Sequence, residues 1–278
     1  MQTYKRHIFL TGLVALIFLL AGCGIPGVAS SPPTPAQTLQ NSAKAMSQLK
    51  SVHFDLSQAS VVMQSSNSTS GMTLNVTGQG DTAGADQVSA NFALAQKPLL
   101  ALVSVGQTVY VQVSGGTWYS ANKSHLKDAT QNFFSQSPAL RLGQFMALLQ
   151  NSKLTDHGQE SLNGVSLDHI TVTPDQQTLQ TLSSQLNGLA PTRDQSSQNQ
   201  ITQATLDLWI DQSTGYVHQL KLDVMAQANL GSLQQYIGQN AGGSTTTLPV
   251  EVKAQLNFSK FNQPVTIQAP ANSVPFPQ

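Results

Sequence analysis

The residues best suited to chemistry stand together at Leu20-Ala21-Gly22-Cys23, which holds the single cysteine of the chain. Small residues directly before a cysteine, at the end of an apolar run, form a lipobox. The run from Ile8 to Leu20 is almost free of polar residues and follows Lys5, Arg6 and His7. Basic, then apolar, then small is the order of an export signal. The run is shorter than the roughly 20 apolar residues that a spanning helix needs. The chemistry expected is a thioether from diacylglycerol to the Cys23 sulfur, cleavage ahead of Cys23, and acylation of the new amino terminus. Two or three acyl chains, at about 0.8 kcal/mol per buried methylene, keep such a protein on its bilayer. Residues 1–22 are therefore read as a signal peptide and Cys23 as the lipidation site. The expected location is the extracytoplasmic face of the cell membrane, with the membrane itself as partner. A lone cysteine leaves no intramolecular disulfide, so stability must come from packing.

Other reactive residue types do not assemble into a catalytic pattern. Ser47-Gln48-Leu49-Lys50 and Ser124-His125-Leu126-Lys127 each match Ser-X-X-Lys, but the companion Lys-Thr-Gly is absent. No Gly-X-Ser-X-Gly elbow occurs. The six histidines are scattered, with none at metal-ligand spacing. His53, His169 and His218 sit in strand-like runs and read as ordinary strand residues. No enzyme activity, metal or cofactor is expected. Net charge is zero and only 9% of residues are charged, which gives no electrostatic footing for nucleic acid. Trp118, Trp209, Tyr110 and Tyr119 suit strands and are expected to cover sheet faces rather than to form a ligand platform.

The elements that position these residues follow from periodicity. Residues 23–34 are Pro- and Ser-rich and read as a tether. Residues 35–278 read as a single domain. Three helices are expected, each opened by a cap residue and a proline: Thr34-Pro35, Ser137-Pro138 and Thr173-Pro174. Their apolar stripes are Leu39, Ala43, Met46 and Leu49; Leu142, Phe145, Met146 and Leu149; and Leu179, Leu182, Leu186 and Leu189. Between and after them the period is two, in short runs bounded by turn residues, as in antiparallel strands. Leu99 to Val105 is more uniformly apolar and is expected to be covered on both faces. Asn163-Gly164 marks a hairpin. Ala190 to Gln200 reads as a loop, and Ala226 to Thr247 fits either a short helix or a flexible connection.

Phe54, Leu56, Leu74, Val76, Phe92, Leu94, Val111, Leu206, Leu208, Leu220, Leu222 and Leu256 alternate onto one side of the predicted sheet. They are either core filled by the helix stripes or the lining of a cavity. Periodicity alone does not separate the two. The fold class expected is α+β: a strongly curved antiparallel sheet, a half-barrel, with helices on its concave face.

Several segments in order carry a family resemblance. They are Ser51-Val52-His53-Phe54, Val109-Tyr110-Val111 with Trp118-Tyr119, and Gly158 to Gly164. Leu208-Trp209-Ile210-Asp211 with Thr214-Gly215 follows, and Phe258 through Pro264-Val265 to Ala269-Pro270 closes the pattern. Together they resemble bacterial lipoproteins of the LppX, LprA, LprF and LprG type and, more distantly, the LolA and LolB fold. That resemblance implies an apolar cavity between sheet and helices, and an acylated lipid or glycolipid as ligand, with the twelve residues above as its lining. The alternative is a packed structural or sensory module that binds an envelope protein.

Overall fold

The computed structural model describes residues 32–63, 72–84, 86–126, 138–189, 200–229 and 247–276. The lipobox with Cys23 and most of the tether lie outside the described residues, as do 190–199 and 230–246. The described residues from Pro35 onward form one compact unit. It contains helices α1 (Pro35–Ser47), α2 (Pro138–Leu148) and α3 (Gln176–Leu189). Its strands, among the described residues, are β1 (Ser51–Met63), β2 (Met72–Ala83), β3 (Gln87–Leu94), β4 (Lys97–Val105), β5 (Thr108–Val113) and β6 (Trp118–Asn122). They continue with β7 (Lys153–Leu162), β8 (Val165–Thr173), β9 (Gln200–Ile210), β10 (Val217–Asn229), β11 (Thr247–Ser259) and β12 (Ser273–Pro275).

All these strands belong to one sheet, in the order β12-β6-β5-β4-β3-β2-β1-β11-β10-β9-β8-β7. Pairing is antiparallel except that β12 runs parallel to β6. Two meanders, β1 to β6 and β7 to β11, are joined along β1 and β11, with Phe54 opposite Phe258. The sheet curls without closing, since its end strands β7 and β12 do not pair with each other. This is the expected α+β half-barrel.

Local sequence explains the elements. Pro35 and Pro138 each occupy the first helical position, where the missing N–H costs nothing. The third helix starts two residues later than Thr173-Pro174 suggests. Its cap is Asp175, whose Oδ1 accepts from the Thr178 backbone N–H at 2.7 Å. Hydrogen bonding from Thr178, first from its side chain and then from its backbone N–H, holds the Asp175 carboxyl below its ordinary value. Asn163 (φ 52°) and Gly164 (φ 81°) make the left-handed pair that a tight hairpin demands. The expected loop ending at Gln200 gives way to strand at Gln200 itself, and β10 continues through Ala226 to Asn229.

The three helices lie against one face of the sheet, here the helix face. α1 packs on α2, and α3 packs on β9. Leu39, Ala43 and Met46 of α1, Met146 of α2 and Leu179 of α3 join Leu149, Ile170, Leu206, Leu208, Ile210 and Val217 in one core. Leu186 and Leu189 are helical, but their side chains lie outside the described set. Backbone groups freed by strand irregularities are taken up by helix side chains. The Ile201 N–H donates to the buried Ser183 Oγ at 2.9 Å, and the Val217 N–H donates to the Met46 sulfur at 3.4 Å. Helices α1 and α2 meet at Gly143. A methyl there would overlap Ser47 and come within 2.7 Å of the Ala43 carbonyl oxygen.

After β11 the chain crosses the opposite, outer face. Asn262 is tied to the start of β1: its N–H donates to the Ser51 carbonyl at 2.9 Å, and its Oδ1 accepts from the Lys50 N–H at 2.8 Å. Val265 and Ile267 then pack with Val103, Val105, Tyr110 and Trp118 in a second, smaller core. β4 is accordingly covered at Val103 on the outer side, while Leu100 and Leu102 on the helix face remain half-exposed.

Candidate functional site

In an antiparallel pair, directly opposed residues point to the same side of the sheet. Register therefore assigns faces without ambiguity. One row runs Ile170, Leu208, Leu220, Leu256, Leu56, Gly78, Phe92, Leu100, Val113 across eight strand junctions. The neighbouring row runs Leu206, Leu222, Ala254, Ala59, Val76, Leu94. Leu74 opposes Val61, and Val111 connects through Leu102, Ala90 and Gly80 to Phe54. All twelve residues marked by alternation thus share the helix face.

They do not share an environment. Leu206 and Leu208 are fully buried in the helix-covered core, and Leu220 is 8% exposed. Phe54, Leu222 and Leu256 are partly buried against that core. Leu56, Leu74, Val76, Phe92, Leu94 and Val111 belong to neither packed cluster and are half-exposed. Exposure rises along the first row to Val113, at 57%. Beyond Val111 lie Tyr119, whose ring centroid sits 5.5 Å from that of Phe276, and the exposed Val274. Leu100 and Leu102 extend the same apolar field. The uniform apolar run from Leu99 to Val105 conceals their alternation in the sequence.

The boundary between the covered and uncovered stretches is built by glycine. A Cβ at Gly78 would overlap the Phe92 ring. One at Gly80 would overlap the Phe54 ring and the Ser89 carbonyl oxygen. The two aromatic rings occupy the space over β2 that side chains at Gly78 and Gly80 would fill.

The outer face carries the polar chemistry. His169 stacks on Trp209 (centroids 4.3 Å apart) and on His157 (4.4 Å). Lys221 Nζ lies 4.8 Å from the centre of the Trp209 ring. His169 Nδ1 is 2.8 Å from Glu160 Oε1, and Nε2 is 3.2 Å from Asp207 Oδ1. The Trp209 indole N–H donates to Glu160 Oε2 at 2.9 Å. That bond first, and then the one from His169, hold the Glu160 carboxyl below its ordinary value. Both His169 nitrogens are engaged by carboxylates, so neither is placed to activate a nucleophile. The network clamps β7, β8 and β9. Its hydrogen bonds span 9, 38 and 49 positions in sequence, which is why no local motif announces it. Among the described residues, no three His, Cys, Asp or Glu side chains are grouped to hold a metal.

The aromatic residues cover sheet surface. Trp209 is 6% exposed, Trp118 and Tyr110 pack under the C-terminal tail, and Tyr119 meets Phe276. The serines of the two Ser-X-X-Lys matches serve local turns. Ser47 Oγ donates to the Lys44 carbonyl and Ser124 Oγ donates to Asn122 Oδ1, each at 2.8 Å.

No known family matches the sequence, and no curated protein matches it in a sequence search. Among solved structures, the chain is similar to lipoprotein LppX of Mycobacterium tuberculosis at 16% identity and TM-score 0.46, covering 86% of this chain and all of that one. It is similar to LprF from Mycobacterium bovis at 17% identity and TM-score 0.43, covering 87% and 100%. A LolA superfamily protein from Nitrosomonas europaea matches at 9% identity and TM-score 0.23, covering 82% and 93%.

Proposed function

We propose that this protein is a lipid-anchored carrier that holds an acylated lipid or glycolipid against the uncovered part of its helix face. The observation that supports this reading is the field of Leu56, Leu74, Val76, Phe92, Leu94 and Val111. These side chains lie side by side in register and are half-exposed, where an ordinary core would bury them. Acyl chains need no directional partner. Each Å² of apolar surface they remove from water contributes about 25 cal/mol, so a row of aliphatic side chains is sufficient as a binding surface. The buried residues Leu206, Leu208 and Leu220 then serve as the support beneath the helices rather than as lining. The diacylglycerol on Cys23 keeps the domain at the extracytoplasmic surface of the membrane, beside its lipid source. The carrier step involves no bond making or breaking.

The test is native mass spectrometry with solvent extraction, on the chain secreted as its Cys23→Ser variant and purified without detergent. Stoichiometric acyl lipid, reduced at least tenfold in Leu94→Asp while Leu162→Asp retains it, is the expected result. A lipid-free protein that also fails to take up a fluorescent fatty acid would overturn the reading. Metabolic labelling with a fatty-acid probe tests the anchor: label is expected on the wild type and absent from Cys23→Ala.

A further inference from the structure

The outer face of β1 to β5 carries a feature that lipid carriage does not use. One row of directly opposed residues crosses it: Asp55, Gln79, Asn91, Ala101, Gln112. The row lines an open groove of about 760 Å³, together with Thr77, Gln96 and Pro98 and with Leu56, Phe92 and Leu100 of the neighbouring row. That volume falls in the range of about 300–1,000 Å³ typical of ligand sites. Two β-bulges bracket the groove, one in β1 between Leu56 and Gln58 and one in β4 beside Phe92 and Ala93. Bulges bend a strand and increase its twist, and they recur beside functional sites. They interrupt the regular register of the face on either side of the groove.

The chemistry of the groove is selective. No Lys, Arg or His lines it, and its one ionisable group is Asp55, so it offers nothing to neutralise an anion. The contrast with β10 and β11 is direct. There the outer face holds Asp223, Glu251 and Lys253 in mutual ion pairs. Within the groove, Gln112 donates one amide hydrogen to the Gly116 carbonyl at 2.7 Å. Side-chain bonds from Asp55, Gln79 or Asn91 to the protein are absent among the described residues. Each free amide offers donors and acceptors together. Gln79 and Asn91 stand one inter-strand spacing apart, about 4.8 Å, close to the length of one sugar ring, and Gln112 follows two strands on, past Ala101. We propose that this groove binds a neutral oligosaccharide chain, laid across the strands, with the amide row answering successive hydroxyl groups.

Isothermal titration of the secreted Cys23→Ser chain with cellohexaose, chitohexaose, mannohexaose and maltohexaose tests this. At least one is expected to bind at submillimolar concentration. The double variant Gln79→Ala/Asn91→Ala, in exposed positions, is expected to weaken it roughly tenfold or more, about the net worth of one or two hydrogen bonds, with an unchanged circular dichroism spectrum. Leu94→Asp is expected to leave sugar binding intact, which separates this site from the lipid reading. The proposal fails if none of the four sugars binds at millimolar concentration, or if the double variant binds as the parent does. It also fails if binding requires acyl chains on the sugar and is lost in Leu94→Asp instead, or if an alginate hexamer or a glutamine-rich peptide binds in preference.

Discussion

Leu208 and Leu94 sit on the same face of one continuous sheet, and their surroundings differ completely. Leu208 lies under α1, α2 and α3 with no accessible surface, whereas Leu94 is half-exposed in a row that no described helix joins. The sequence pattern around the two is the same, apolar alternating with polar. What separates them is the path of the connections. The link from β6 leads into α2, whose buried residues join the β8 to β10 part of the core, and α3 returns against β9. The covered part is packed core, and the rest of the same face stays half-exposed.

Stability measurements sharpen this contrast most strongly at the two leucines. Leu208→Ala is expected to destabilise the protein by about 2–5 kcal/mol, and Leu94→Ala by roughly 1 kcal/mol or less, because only the first leaves a buried cavity. Urea unfolding of both variants checks it, and equal losses would break the comparison. A smaller but distinct effect is expected where helix meets helix. Gly143→Ala should cost about 1–3 kcal/mol through overpacking against Ser47 and the Ala43 carbonyl. The exposed Gly158, with open space around its Cβ position, tolerates a side chain sterically but is held at φ 77°. Gly158→Asn should therefore lower the melting temperature less than Gly143→Ala does.

The outer clamp adds a pH dependence. The Glu160 carboxyl is held below its ordinary value of 4.5 in the folded state. A depressed folded value means the stabilisation is present above the unfolded value and is lost as pH falls through the folded one. The melting temperature of the wild type is thus expected to exceed that of Glu160→Gln at neutral pH. That difference should shrink as pH is lowered below about 4.5, and a constant difference would exclude the ionised carboxylate as its source. The smallest effect is expected from Asp175→Ala, which removes the cap of α3. Its melting temperature should fall slightly, and Asp175→Ser should restore most of the loss.

These regions also differ in how far the sequence reveals them. Period-two alternation puts its twelve residues on one face correctly, because a strand has only two faces and the pattern selects one. It does not reveal that Leu206 is covered and Leu74 is not, since coverage depends on where distant helices settle. Proline marks the starts of α1 and α2 directly. At α3 the Thr173-Pro174 pair imitates a cap, while Asp175 supplies the hydrogen bond. The clamp of Glu160, His169 and Trp209 and the amide row of the groove each draw single residues from separate strands. They become visible only when register brings those strands together.

The seam between β1 and β11 sets a schedule for folding. The strands of each meander lie near one another in sequence, so each can begin to pair as soon as its own segment exists. Phe54, however, must wait for Phe258, and β6 must wait for β12. Until nearly the whole chain has been made, the sheet has two loose halves and the helix core lacks one wall. Late, long-range closure of this kind is slow, because the entropy of closing the loop is lost before the contacts repay it. A chain made from its N-terminus therefore cannot complete this sheet before β11 and β12 exist.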